Sequence, residues 1–339
     1  MKHSILDFNS KNLQAYLNKH NFPGFAGRQI FSWIYKKGIF DFARMGNLSK
    51  ELRGFLKNNF SVLNFNLINK ATSRDGTQKF LFLLPDGEAI ESVLIPAASR
   101  LSACVSTQVG CKFNCRFCAS GSLGVRRNLK PGEIIEQVIH LHSAAGKRIN
   151  NLVFMGVGEP FDNYDNLLAA IRILNASDSL NIGARKMTIS TCGLLPGIKK
   201  LSRENIQVEL SVSLHAADNQ TRTFLMPVNK KYPLEELLSA CRDYYKQTKR
   251  QVTFEYILIQ GINCGLKQAD KLAGMLSGFD AKVNLIPINV FRDQFSAPKK
   301  SDVILFRDIL LKAGVPATIR RQRGADIEAA CGQLRIKKE

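Results

Sequence analysis

The apolar positions of the chain change their spacing twice. Up to about residue 60 they recur at three- and four-residue intervals, as in "GRQIFSWIYKKG" and "LSKELRGFLKNNF", which predicts amphipathic helices. From 66 to 96 the pattern shifts: "KATSRDGTQKFLFLLPDGEAIESVLIP" alternates β-rich runs with the turn signals Asp75-Gly76 and Asp86-Gly87, predicting a small antiparallel sheet or meander. After residue 98 short apolar runs ("LSACVST", "NNLVFMG", "KMTISTCG", "VELSVSLH", "VTFEYILIQ", "KVNLIPIN", "ATIRRQ") alternate with helical patterns such as "PGEIIEQVIHLHSAAG", "YDNLLAAIRILN", "PLEELLSACRDYYKQTK" and "SDVILFRDILLKAG". Repeated strand-helix units imply a parallel sheet with crossover helices. About six units fall short of the eight of a closed barrel. The expected fold is therefore α/β, a partial (β/α)6 barrel over residues 98–339, preceded by a small helical and β accessory domain over residues 1–97. Chemistry in such folds gathers at the carboxyl ends of the strands. Gly158-Glu159 follow "LVFMG", His215 ends "VELSVSLH" and Asn289 ends "VNLIPIN".

Composition adds two constraints. With 339 residues, 45% of them hydrophobic and 22% charged, the chain can bury a substantial core. Its first thirty residues lack the apolar run of a secretion signal, and no stretch approaches the length needed to span a bilayer. A cytoplasmic location is expected, where clustered cysteines are read as metal-binding or catalytic thiols rather than disulfides. The net charge of +20 is the second constraint. Basic pairs recur along the whole chain, at Lys36/Lys37, Arg126/Arg127, Lys199/Lys200, Lys230/Lys231, Lys299/Lys300 and Arg320/Arg321. A dispersed positive field suits a folded nucleic acid held by its phosphates, although solvated helix faces would give the same count.

Three of the eight cysteines fall in "CKFNCRFC": Cys111, Cys115 and Cys118, spaced C-x3-C-x2-C after a candidate strand and Gly110. A structural zinc site would want a second Cys/His pair at short spacing, and a ferredoxin-type carrier a fourth cysteine in a recognisable run. Buried core cysteines would not favour a cationic loop. The remaining reading is a 4Fe-4S cluster held by three thiolates, with one iron open to a ligand. The spacing, with Phe117 before the last cysteine, resembles the signature of the radical S-adenosylmethionine (SAM) superfamily, in which the open iron chelates SAM.

The flanking sequence narrows the likeness. "CVSTQVGCKFNCRFCAS", "FMGVGEPFDNYDN", "MTISTCG", "SVSLHA", "LMPVN", "LIPIN" and "RGADIEAACGQL" together resemble the RlmN/Cfr family of radical SAM RNA adenine methyltransferases, closest to its RlmN branch. The resemblance runs from the amino-terminal helices to the last ten residues. It implies two SAM per turnover. By the resemblance, Cys331 would take a methyl group from the first as a thiolate nucleophile. Cleavage of the second gives an adenosyl radical, which removes hydrogen from the S-methyl group, and the resulting carbon radical adds to the base. Cys104 would then resolve the protein–RNA adduct through a transient Cys104/Cys331 disulfide, with Glu91 as proton acceptor. Gly158, Glu159, Ser190, Ser213, Leu214, His215 and Asn289 would form the SAM pocket. Read without the family, Cys104 and Glu91 would be ordinary strand residues and His215 a satisfied structural one. Cys192 and Cys241 read as core residues and Cys264 as a loop residue. Two departures, Val157 for a common methionine and Ile288 for a common tyrosine, remove no ligand or thiol. The implied substrate is adenosine C2 in the peptidyl-transferase region of 23S rRNA, with tRNA near the anticodon as a second. An electron donor such as flavodoxin or ferredoxin is implied, and nothing calls for a membrane or for more than a monomer. The rivals are a Cfr-type C8 methyltransferase conferring antibiotic resistance and a non-catalytic iron-sulfur RNA-binding or electron-transfer protein. "GEP" at Gly158 to Pro160 favours the RlmN branch.

Overall fold

A computed structural model describes residues 2–289 and 295–334. The helical expectation for the amino-terminal segment holds. Helices α1 (Ser10–Lys19) and α3 (Lys50–Asn59) bury leucines four apart, Leu13/Leu17 and Leu52/Leu56, and α2 (Ala26–Phe31) buries Ala26 and Ile30 at the same spacing. Helix starts are set by side-chain caps: Asn9 Oδ1 accepts from the amide of Asn12 at 2.8 Å, and Ser49 Oγ from that of Leu52 at 3.1 Å.

The ten strands of the main sheet, numbered along the chain, are β1 (Asn66–Thr72), β2 (Gln78–Leu83), β3 (Ala89–Ala97), β4 (Arg100–Cys104), β5 (Asn151–Phe154), β6 (Met187–Thr191), β7 (Glu209–Ser213), β8 (Val252–Leu258), β9 (Ala281–Pro287) and β10 (Ala317–Ile319). They lie side by side in sequence order. Strands β1 to β4 are antiparallel neighbours and β4 to β10 run parallel. The predicted meander thus continues the parallel sheet instead of standing apart, and residue 97 lies at the turn where β3 pairs with β4. Helices α4 (Pro131–Ala145), α5 (Tyr164–Asn175), α6 (Leu195–Leu201), α7 (Asn219–Leu225), α8 (Leu234–Thr248), α9 (Leu266–Leu276) and α10 (Lys300–Lys312) make the crossovers. Six strand-helix units from β4 and a closing strand fit the expected partial barrel.

The sheet is curled. In a flat sheet β5 and β10, five steps apart, would stand about 24 Å from one another. Instead Arg320, just past β10, reaches the sulfur of Met155, just past β5, at 3.9 Å. The curl turns the apolar outer face of the parallel strands towards the helices and leaves a lined interior.

One element was not legible in the sequence. Between β4 and α4 a separate hairpin, Gln108–Cys111 with Gly124–Asn128, frames the cysteine loop. Its second strand, "GVRRN", is largely exposed, so it carries no alternation of apolar and polar positions. Gly110 is required there: its φ is +76°, and an added Cβ would meet the Gly124 carbonyl oxygen at 1.9 Å.

Candidate active site

The carboxyl ends of β5 to β10, the cysteine loop and the segment around Cys331 line one cavity. Cys111 closes the first hairpin strand, and Cys115 and Cys118 follow in a tight turn, the Cys118 amide donating to the Cys115 carbonyl at 3.0 Å. All three thiols face this cavity. Burial pushes Cys111 up to about 12 and Cys115 well above its ordinary value, with the other cluster thiols adding to the rise for Cys115. Three half-buried cysteines at mutual electrostatic range are a donor set that gives up its protons to a polycation. They fit an iron-sulfur cluster held by three thiolates.

Next to them stands the Gly158-Glu159 corner. Gly158 has φ +105°, and a Cβ there would come within 2.6 Å of Gln108 Cβ, so only glycine allows this approach. Glu159 is buried, which raises its pKa, and its carboxylate bridges two loops by accepting from the amides of Phe161 (3.0 Å) and Cys192 (2.7 Å). Ser190 on β6, Ser213 on β7 and His215 line the same cavity. His215 has φ +59° and stacks edge-on against Phe117, ring centres 4.7 Å apart. Its Nδ1 accepts from the amide of Ile257 at 3.0 Å. Burial, then Arg222, lowers its pKa to about 3, so the ring is neutral with its proton on Nε2.

Two of the expected pocket residues sit differently. Leu214 is wholly buried outside the cavity lining, with its carbonyl accepting from Arg222 Nε at 3.2 Å. Asn289 holds the Cys331 segment instead of the cavity wall: its Nδ2 donates to the Cys331 carbonyl at 3.1 Å, and its Oδ1 accepts from Gln322.

Cys331 reaches the cavity because its segment is fastened on two sides. On one side the amide of Ala119 donates to the Gly332 carbonyl at 2.7 Å and Ser120 Oγ to that of Leu334 at 2.7 Å, which ties the segment to the cluster loop. On the other, Asp326 accepts from Ser73 Oγ at 2.5 Å and from the Arg74 amide at 3.2 Å, while the Gly324 amide donates to Asp75 at 3.1 Å. The turn between β1 and β2 therefore anchors the segment that carries Cys331. Cys104, at the end of β4, packs beside it with Val157, Ala329 and Leu334. Burial, and then the sulfur of Cys331, push Cys104 up to about 12, and both thiols are free in this structure. Glu91 on β3 is buried outside the cavity and pairs with Lys79 at 3.1 Å; Lys79 also donates to the Glu328 carbonyl at 3.3 Å.

Sequence reasoning missed three residues, and a fourth that it placed in the core also lines the cavity. Cys192, expected in the core, is buried but also faces the cavity beside Glu159. Arg222 is wholly buried on α7, where it donates to the carbonyls of Cys192 (2.9 Å), Ser213 (3.2 Å) and Leu214 (3.2 Å) and so fixes the ends of β6 and β7. Glu255 on β8 and Arg320 also line the cavity. A charged residue inside "VTFEYILIQ", an otherwise apolar strand pattern, was the available signal for Glu255.

The fold and the three-thiol cavity define a radical SAM enzyme. Residues 105–265 match the family model described as the radical SAM superfamily, and residues 3–62 match the ribosomal RNA large subunit methyltransferase N-terminal domain. The chain is 46% identical over 334 residues to a protein of Clostridium novyi named "Probable dual-specificity RNA methyltransferase RlmN", covering 98% of this chain and 97% of that one. A Bacillus thuringiensis protein of the same name is also 46% identical, over 99% of this chain and 94% of its own. The crystal structure of a radical SAM methyltransferase from Sphaerobacter thermophilus superposes with a TM-score of 0.95 at 42% identity, covering 98% and 99% of the two chains. The chain belongs to the RlmN family.

Proposed function

We propose that this protein is a dual-specificity RNA methyltransferase that methylates C2 of adenosine in the peptidyl-transferase region of 23S rRNA and in tRNA near the anticodon. The observation that carries the reading is that the three cluster thiols, the Gly158-Glu159 corner and Cys331 open into one cavity, with Cys104 packed against Ala329 and Leu334 of the Cys331 segment. Adenine C2 is a poor nucleophile, so a methyl group has to reach it by a radical route. Cys111, Cys115 and Cys118 would hold a 4Fe-4S cluster, which would supply the electron for cleavage of SAM. Glu159 would receive the amino group of SAM, while Ser190, Ser213 and His215 Nε2–H would hold the rest of the molecule.

Cys331 then has two roles, as acceptor of a methyl group from one SAM and, after loss of a hydrogen atom to the radical made from a second, as the carbon radical that joins the base. With the ring proton passed to Glu91 and one electron passed out of the adduct, as to the oxidised cluster that Cys111, Cys115 and Cys118 would hold, Cys104 would attack the Cys331 sulfur, releasing the methylene on the base to take up a proton as the methyl group and leaving a Cys104/Cys331 disulfide that an external reductant reopens. Glu91 stands outside the cavity, so this role requires the Lys79 pair to yield when RNA binds. Residues 1–97 would serve as the RNA-gripping accessory part, with the base flipped into the cavity. A cytoplasmic monomer fed by a flavodoxin or ferredoxin completes the reading; among the described residues no helix is long and apolar enough to cross a membrane.

Anaerobic reconstitution with reductant, SAM and unmodified 23S rRNA or tRNA, followed by mass spectrometry of the nucleosides, tests it. 2-Methyladenosine supports the proposal, 8-methyladenosine replaces it with a C8 enzyme, and no modified nucleoside with SAM unconsumed defeats it.

A further inference from the structure

Glu255 has no part in the chemistry above, yet it is buried, on an inner strand, and faces the cavity. One carboxylate oxygen is committed: Oε1 accepts from Ser211 Oγ at 2.7 Å and from Asn284 Nδ2 at 3.2 Å. The other, Oε2, is buried and has no hydrogen-bond partner among the described residues. Among the described residues its ion-pair partner is Arg320, whose Nη1 lies at 3.9 Å, beyond hydrogen-bond range. Arg320 in turn lies against Cys331 and is anchored by its own amide, which donates to the Leu285 carbonyl at 2.8 Å. A buried acceptor without a donor is costly, and its retention beside a reactive centre points to a ligand that satisfies it.

Arg320 adjoins both Cys331 and Glu255, which gives the order thiol, donor, acceptor. Along the edge of adenine the order is C2, the ring nitrogen N1, which accepts, and the exocyclic amino group, which donates. We infer that Arg320 and Glu255 read the target base, Arg320 donating to the ring nitrogen beside the reacting carbon and Glu255 Oε2 accepting from the amino group. Guanine opposes both contacts on this edge, with a protonated N1 facing the guanidinium and a keto oxygen facing the carboxylate. The same order, C8, N7, amino group, runs along the other edge, so the pair selects adenine and not the carbon attacked. The inference rests on the proposed function above.

The test compares RNA hairpins carrying adenosine or purine riboside, which lacks the amino group, at the target position. The wild-type protein should prefer adenosine by about tenfold, both in methyl transfer and in equilibrium binding by protein without reconstituted iron. E255A should accept the two equally. E255Q, which keeps the shape and an acceptor oxygen, should show a reduced preference and carries the comparison if E255A does not fold. An E255A protein that still prefers adenosine as strongly as wild type overturns the inference, as does loss of SAM binding with the base preference unchanged, which would put Glu255 on SAM. Wild type that methylates neither RNA defeats the functional reading instead, and the binding preference still reports on Glu255.

Discussion

Replacing Arg222 by methionine tests how the pocket is held open. The change keeps an unbranched, fully buried stem but deletes every donor. The carbonyls of Cys192, Ser213 and Leu214 and the Asn229 side-chain oxygen lose partners 2.9 to 3.2 Å away, and the Tyr232 carbonyl a weaker one at 3.5 Å. At about 1 kcal/mol for each of these short contacts, the loss is on the order of 4 kcal/mol. Part is offset because a buried guanidinium, whose pKa burial has brought down to about 10, no longer has to be desolvated. The thermal midpoint should fall by about 5 °C at roughly 2 °C per kcal/mol for a large domain. The same carbonyls belong to the residues around Glu159 and His215, so SAM affinity of the reconstituted protein, read by calorimetry, should fall with it. R222K keeps the charge but reaches fewer carbonyls, and should lie between. An R222M protein that melts within about 1 °C of wild type and binds SAM equally well would refute the claim that Arg222 positions these strand ends.

Three further predictions follow from the same geometry. His215 titrates near 3 in the folded protein against 6.5 in the unfolded chain, so between those values the unfolded chain takes up a proton that the folded one refuses. Stability should therefore fall as pH drops through that window and be indifferent to this group above it; at pH 5 the loss is about 2 kcal/mol, and H215Q should show a shallower change in urea midpoint between pH 7 and 5. Cys104, held near 12, should escape iodoacetamide at pH 8 in the native protein, and C104A should trap a covalent protein–RNA adduct, visible as a band of raised mass; an active protein with no adduct would remove its resolving role. D326A, which loses the contacts to Ser73 and Arg74, should speed hydrogen exchange at residues 324–334 and slow methylation of Cys331 while leaving exchange in α4 and α5 unchanged; slow exchange at 324–334 would sink the anchoring argument.

What the sequence determined by itself was whatever is written in neighbouring residues. The period of apolar positions placed β4 to β10 and most of the helices, because each strand buried between helices must be apolar over its own length. The spacing of Cys111, Cys115 and Cys118 pointed to an iron-sulfur cluster, because one loop carries the whole motif. The resemblance carried Cys331 and Cys104, which no local pattern would have joined. Tertiary structure alone decided the rest. The exposed hairpin strand "GVRRN" has no buried face to leave a period. The union of the meander with the parallel sheet is settled by β3–β4 pairing, and the fastening of Cys331 by a turn some 250 residues earlier in the chain, between Ser73 and Asp326, depends on polar contacts that leave no periodic trace. Arg222 and Glu255 belong to the same class. A buried charge is recognised by what surrounds it, and its partners, from Leu214 to Cys192 and from Ser211 to Asn284, come together only when the sheet curls.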